Sequence, residues 1–206
     1  MGHNIMRIWI RLHRVFLVLA IVLGAGTQLL PGPAYAQVTA FKQAVAEAAA
    51  RDEDIAAFYR SNGYTAVWTG PGNADRARRA ELMRAITMAG GHGLAVDRYD
   101  PDGLMQLLTN VRTPRDRGMA EVEMSKVFLR YARDVQTGIL IPNRIDRGIV
   151  RKIDYRDRKT HLVNISGPNP SKVFRALPPT SMEYNALLKE KVKMERLLRA
   201  GGWGPA

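Results

Sequence analysis

The stretch over 113–138 constrains the fold more than any other part of the chain. Thr113 precedes Pro114, which sets a capping residue before a proline suited to the first helical position. Met124, Val127, Phe128, Tyr131 and Val135 then recur every three to four residues, with Glu123, Lys126, Arg130, Arg133 and Asp134 around the remaining surface. That period predicts a long amphipathic helix with one buried face, and Gly138 closes it. Such a helix needs other helices to cover its apolar stripe.

The remaining sequence supplies them. Phe41, Val45 and Ala48 repeat at helical spacing in an N-terminal helical segment over 37–52. Asp52 offers an N-cap, with Glu53 and Asp54 in a first turn where negative charge suits the helix dipole. Ile55, Phe58 and Tyr59 form that helix's buried stripe, and Asn62-Gly63 ends it because both tolerate a left-handed backbone. Residues 64–68 (YTAVW) are aromatic and β-branched and predict a small extended segment. After the turn Thr69-Gly70-Pro71-Gly72, Asn73 is expected to cap a helix over 74–89. Leu82, Ile86 and Ala89 face inward there. Arg76, Arg78, Arg79 and Arg84 lie mainly outward, with Asp75 four residues before Arg79 in the favourable order.

Gly90-Gly91-His92-Gly93 cannot sustain a helix. Asp100-Pro101 and Asn169-Pro170 mark two further starts. The charged stretch over 144–159 is expected to be an exposed connection with short helical turns. A last helix opens after Pro178-Pro179 with Thr180-Ser181-Met182-Glu183, a capping-box pattern. Its apolar band comprises Tyr184, Leu187, Leu188, Val192, Met194 and Leu198, and Glu195 and Arg199 form an i,i+4 pair. The expected fold is mostly α, an irregular multi-helix domain with short extended segments, and Phe58, Trp68, Phe128, Tyr131 and Leu188 belong to its core.

Residues 1–36 read as a cleavable signal peptide. Arg7, Arg11 and Arg14 precede an apolar run over 15–26, Leu29-Leu30-Pro31-Gly32-Pro33 interrupts it, and Ala34-Tyr35-Ala36 supplies small residues for cleavage before Gln37. The alternative is a membrane anchor, but a spanning helix needs roughly 20 apolar residues and this core is shorter. Export places the domain in the periplasm, with membrane contact only through an uncleaved signal. Loss of the three arginines lowers the formal charge from +12 to +9. A basic balance prompts a nucleic-acid reading. Export removes nucleic acid as a partner and leaves phospholipid head groups or carboxylate-bearing wall polymer, both attracted by salt-sensitive steering. The plainer role of the arginines is to solvate helix faces.

The chain has no cysteine, which excludes thiol catalysis and cysteine metal ligation. His92 and His161 are far apart in sequence, and a zinc site wants three or four ligands. Ser61, Ser125, Ser166, Ser171 and Ser181 show neither a G-x-S-x-G elbow nor an S-x-x-K pattern, and no phosphate loop is present. Glu121/Glu123 or Asp97/Asp100 could serve as the paired carboxylates of a glycosidase, against the commoner role of surface acids beside arginines. Phe58, Tyr59 and Trp68 could line a sugar groove or fill an aromatic core. No residue is assigned to catalysis, to a metal or to a cofactor, and no cofactor is expected.

Several segments together resemble the large periplasmic murein L,D-transpeptidases. Phe58-Tyr59 with Tyr64 and Trp68 is similar to the x-F-Y-x-x-x-x-Y-x-x-x-W opening of that family's helical scaffold domain. Ala89-Gly90-Gly91-His92-Gly93-Leu94 with Tyr99 resembles its A-x-x-H-G-L…Y step. Tyr131-Ala132-Arg133-Asp134 with Gly138 and Pro142 resembles its Y-A-x-D-x-x-x-G-x-x-x-P helix. Leu177-Pro178-Pro179, Tyr184, Leu187 and Gly201-Gly202-Trp203 resemble its exit, although Gly204 separates Trp203 from Pro205 where the family has Trp-Pro. The shared order covers about 53–205, so residues 53–206 read as a scaffold-like helical domain.

The resemblance implies a fold, a compartment and a pathway, the 3→3 cross-linking of peptidoglycan. It carries no catalytic residue onto this chain, because family enzymes use a cysteine in a domain that follows this point. The expected chain is a non-catalytic scaffold with a separate catalytic L,D-transpeptidase domain, and peptidoglycan, as partners. The alternative is a stand-alone basic adaptor binding peptidoglycan or anionic membrane.

Overall fold

A computed structural model describes residues 33–150 and 152–204, with side chains from Gln37 onward. The signal peptide read over 1–36 lies outside the described residues, apart from the backbone of 33–36. The chain divides into Met1–Gln37 and Val38–Ala206, and all contacts given below lie within the second unit. The helices are α1 (Pro33–Ala49), α2 (Glu53–Ser61), α3 (Asn73–Thr87), α4 (Pro101–Thr109), α5 (Pro114–Thr137), α6 (Pro142–Ile145), α7 (Arg158–Ser166), α8 (Pro170–Arg175) and α9 (Met182–Arg199). Two 3-10 turns, Ala89–His92 and Val96–Tyr99, lie between α3 and α4. No strand occurs among the described residues.

Local capping explains most of these starts. Each helix leaves its first N–H groups without an intrahelical acceptor. Asp52 accepts from the Ile55 N–H at 3.2 Å, Asp100 from Gly103 at 3.0 Å and Thr113 from Asp116 at 3.1 Å. Asp157, Asn169 and Ser181 do the same for α7, α8 and α9. The Asp116 carboxylate reaches back to the Thr113 N–H at 2.9 Å, completing a capping box. These bonds, the Thr113 hydroxyl foremost, hold its carboxyl below the usual range. Two expected caps differ by one position. Gly72 precedes α3, its N–H bonded to Asp75 at 3.0 Å, and Ser181 rather than Thr180 caps α9.

α5 runs through the middle of the unit, packed against α2, α4 and α7, while α3 packs on α4 and α8, and α7 on α2 and α8. Its buried stripe contains Met124, Val127, Phe128, Tyr131 and Val135, the residues that the helical period marks. Phe128 lies 5.6 Å from the Trp68 ring and 5.5 Å from that of Phe174, edge-on in the latter case, and Tyr131 meets Tyr99 edge-on at 5.6 Å. Fully burying an aromatic of this kind contributes roughly 1.5–3 kcal/mol.

Gly118 lets α1 approach α5, because a Cβ there would stand 2.7 Å from the Ala44 Cβ and 2.8 Å from the Phe41 carbonyl oxygen. Gly138, at φ +77, ends α5 in a backbone that L side chains rarely adopt. At the end of α2 the left-handed residues are Gly63 and Tyr64 rather than Asn62 and Gly63. The Tyr64 N–H closes the helix onto the Tyr59 carbonyl at 2.8 Å.

α9 departs from this pattern. None of its residues is fully buried, and Leu188, expected in the core, is only half-buried. Its expected Glu195–Arg199 ion pair is replaced by Lys191–Glu195 at 2.6 Å. The remaining core expectations hold: Phe58, Trp68, Phe128 and Tyr131 are all buried.

Candidate functional site

The chemistry-bearing side chains gather first around a buried carboxylate. Glu121, on the inner face of α5, is fully buried. Its Oε1 accepts from the Tyr59 hydroxyl at 2.8 Å and from the Val67 and Trp68 N–H groups at 2.6 and 3.1 Å. Its Oε2 accepts from the Thr69 N–H at 2.8 Å and the Thr69 hydroxyl at 2.7 Å. The carbonyls of the same segment point the other way. Arg78 donates to the Val67 carbonyl at 2.9 Å, and Arg79 to those of Trp68 and Gly70.

This arrangement explains why the extended segment expected over 64–68 joins no sheet. The N–H groups of Val67, Trp68 and Thr69 bond to an anion and the carbonyls of Val67, Trp68 and Gly70 to two cations, so at this end of the segment side chains satisfy what a neighbouring strand would otherwise satisfy. A carboxylate left without such donors would be costly to bury. The Tyr59 hydroxyl, raised well above its usual range by burial and by the Glu121 charge, stays protonated and donates. Ser125 lies 2.8 Å from the Tyr59 oxygen and accepts from the Trp68 indole N–H at 2.9 Å.

Three expectations are corrected here. Arg78 is buried rather than outward, held by Val67, by Asp75 at 2.8 Å and by the Ser166 carbonyl at 2.9 Å. Asp75 therefore pairs with Arg78, not Arg79. Asp134, placed on the α5 surface by the helical period, is buried and accepts from Arg98 Nε at 2.6 Å and the Tyr99 hydroxyl at 3.1 Å.

The paired-carboxylate reading finds no pair. Glu121 is bound within the segment 67–69, while Glu123 is half-exposed and faces Lys126 at 3.4 Å. Asp97 is exposed and Asp100 caps α4. Phe58, Tyr59 and Trp68 are buried core, so they line no sugar groove.

His92 and His161 serve as packing groups in separate places. His92 Nδ1 lies 2.6 Å from the Tyr184 hydroxyl, with the two rings stacked 6.4 Å apart. His161 lies 3.3 Å from the Gln136 side-chain nitrogen. Burial foremost, then Lys191 for one and Arg156 for the other, lowers both from the ordinary histidine value, so both imidazoles are neutral at pH 7. Among the described residues no serine bonds to a histidine. Ser61 and Ser166 donate to backbone carbonyls, Ser171 to Glu81, and Ser181 caps α9.

α9 leaves an apolar face exposed. Tyr184 ties its first turn to His92, but the face bearing Leu187, Met194 and Leu198 is exposed, Leu187 by 71% and Leu198 by 67%. Their spacing of seven and then four residues puts them on one side of the helix. Trp203, just beyond it, is 69% exposed. A contiguous apolar stripe of this kind marks an interaction surface more often than scattered single residues do.

A family model described as Scaffold domain matches residues 53–190. The chain belongs to the Scaffold domain family. No curated protein and no solved structure matches it. The Scaffold domain match begins at the first residue of α2 and ends within α9, so it takes in the Glu121 network, His92 and His161. Within this Scaffold domain the buried polar groups hold the fold together. A scaffold domain is not itself catalytic, and this chain has no cysteine.

Proposed function

We propose that the chain is the scaffold portion of a murein L,D-transpeptidase, exported to the periplasm and acting in peptidoglycan 3→3 cross-linking without performing the chemistry itself. The observation that carries this reading is the Scaffold domain match over 53–190, which covers the motifs resembling that family from Phe58 to Leu187. The exposed stripe of α9 supports it. In the family a catalytic domain follows this helix, and Leu187, Met194 and Leu198 offer that domain an apolar seat.

The chemistry belongs to the partner. Acyl transfer of this type needs a nucleophile that attacks the donor stem's carbonyl, and family enzymes use a cysteine thiolate activated by a neighbouring base. The scaffold positions the catalytic domain towards the wall. Its rigidity comes from α5 and the Glu121 network, which fix α2 and the segment 67–69 relative to one another.

The test is intact-mass spectrometry of the purified protein after exposure to a carbapenem, alone and with a separately expressed cysteine-bearing catalytic domain. The scaffold chain should stay unmodified while the catalytic domain is acylated and co-purifies with it. A stoichiometric adduct on the scaffold chain itself would replace this reading with an enzymatic one. A second reading, a stand-alone adaptor on wall polymer or anionic membrane, is favoured by one observation, a cationic groove beside α7. Retention on purified sacculi that weakens with salt supports it.

A further inference from the structure

A groove of about 610 Å³ opens between α5 and the start of α7. Lys126, Arg130 and Arg133 reach it from α5, at positions four and then three residues apart that share one helix face. Arg156 and Arg158 reach it from the loop before α7 and from that helix's first turn. The one carboxylate in its lining is Asp52, which is already bonded to Arg158. Asp54 also faces Arg158, at 3.2 Å, and Glu123 faces Lys126 at 3.4 Å.

The other three cations bond to neutral groups. Arg130 donates to the Arg98 carbonyl at 3.3 Å and Arg156 to the Ala176 carbonyl at 3.3 Å. Arg133 lies over the Tyr155 ring, 5.1 Å from its centroid. Among the described residues no carboxylate pairs with Arg130, Arg133 or Arg156. His161, in the same lining, is neutral and adds no charge.

We infer that this groove binds the carboxylate-bearing stem peptides of wall polymer, with Arg130, Arg133 and Arg156 as the recognising groups. Planar guanidinium groups engage carboxylates through paired hydrogen bonds. Three arginines without acidic partners suit a ligand that carries more than one carboxylate. Concavity favours a peptide over a lipid surface. A volume of this size holds a short chain, whereas a bilayer presents its head groups as a plane. The Tyr155 ring and the Leu129 side chain supply an apolar wall for the peptide's aliphatic parts. The inference rests on the periplasmic reading above but not on a catalytic partner.

Titration calorimetry of the purified protein tests it, with soluble muramyl tetrapeptide, the same peptide with its carboxylates amidated, and phosphatidylglycerol vesicles as probes. The R130Q/R133Q variant should bind the tetrapeptide about tenfold or more weakly than the wild type, as removal of charge-assisted bonds requires. The amidated peptide should lose as much. The control variant K189Q/R196Q removes the same charge from α9 and should bind as the wild type does. Equal loss in the control would make the attraction diffuse, and unchanged binding of the amidated peptide would remove the carboxylates as the recognised groups. Binding to vesicles without binding to the tetrapeptide would assign the groove to the membrane. Each of these results overturns the inference, as does no tetrapeptide binding by the wild type. Co-purification with the catalytic domain is scored separately. Lost stem binding with intact association removes only the groove, and the reverse removes only the scaffold reading.

Discussion

The segment 67–69 and the helix α9 carry sequence patterns that ask for partners, and only one finds them among the described residues. Val67 and Trp68 are buried, with their backbone groups bonded to Glu121, Arg78 and Arg79. α9 has an apolar band as marked as that of α5, yet its best-packed leucine, Leu188, is only half-buried. A helical period reports that a face is apolar; it does not report which molecule covers it. The difference assigns the first region to holding the fold and leaves the second an exposed apolar face, the one given to a partner in the proposed function.

The sharpest way to break the contrast is to remove the centre of the first region. Glu121→Ala leaves three backbone N–H groups, the Tyr59 hydroxyl and the Thr69 hydroxyl without their acceptor. Loss of one partner from a buried charged network costs about 3–5 kcal/mol, read as a shift in the urea midpoint. A midpoint equal to the wild type's would mean that the network contributes nothing. Phe128→Ala, in the adjoining aromatic cluster, should also cost about 3–5 kcal/mol.

Gly118→Ala should cost about 1–3 kcal/mol through overpacking, since the new Cβ meets the α1 backbone. Unchanged thermal unfolding would show that α1 yields freely.

A smaller effect depends on pH. His92 and His161 are held below the ordinary histidine value in the folded state, so the unfolded chain takes up protons first as pH falls through about 6.5. Stability should therefore be highest above that value and decline below it. His161→Gln should flatten the decline, and an identical pH profile for variant and wild type would place the titration elsewhere.

The smallest expected effect on stability is at α9. Leu187→Glu and Leu198→Glu should change it by no more than about 0.5 kcal/mol, as exposed positions do. A large loss in either would show that the α9 face is covered from within the chain.

What sequence reveals of this fold follows from how local each interaction is. Asp100, Thr113 and Asn169 could be read as caps because each bonds to an N–H only three residues away. Phe128 and Tyr131 could be read as core because one helix turn repeats their burial. Arg78 could not, because its helix places it among other arginines and its partners at Val67 and Ser166 are 11 and 88 residues away. Glu121 reads as a surface acid for the same reason, its acceptors' donors lying more than fifty residues upstream. The aromatic stretch around Trp68 reads only as a small extended segment, although the backbone of a lone strand needs partners such as Glu121 supplies. The groove beside α7 is likewise invisible in sequence, because its arginines come from two separate stretches.

The central proposal is that this Scaffold domain seats a separate catalytic domain on α9. The most direct measurement is the affinity of a cysteine-bearing L,D-transpeptidase catalytic domain for the purified protein and for its L187E/L198E variant. The wild type should bind, and the variant should bind at least about tenfold more weakly, as loss of central apolar anchors predicts, with thermal unfolding unchanged. Equal affinity for both proteins, or no binding by the wild type, would contradict the account.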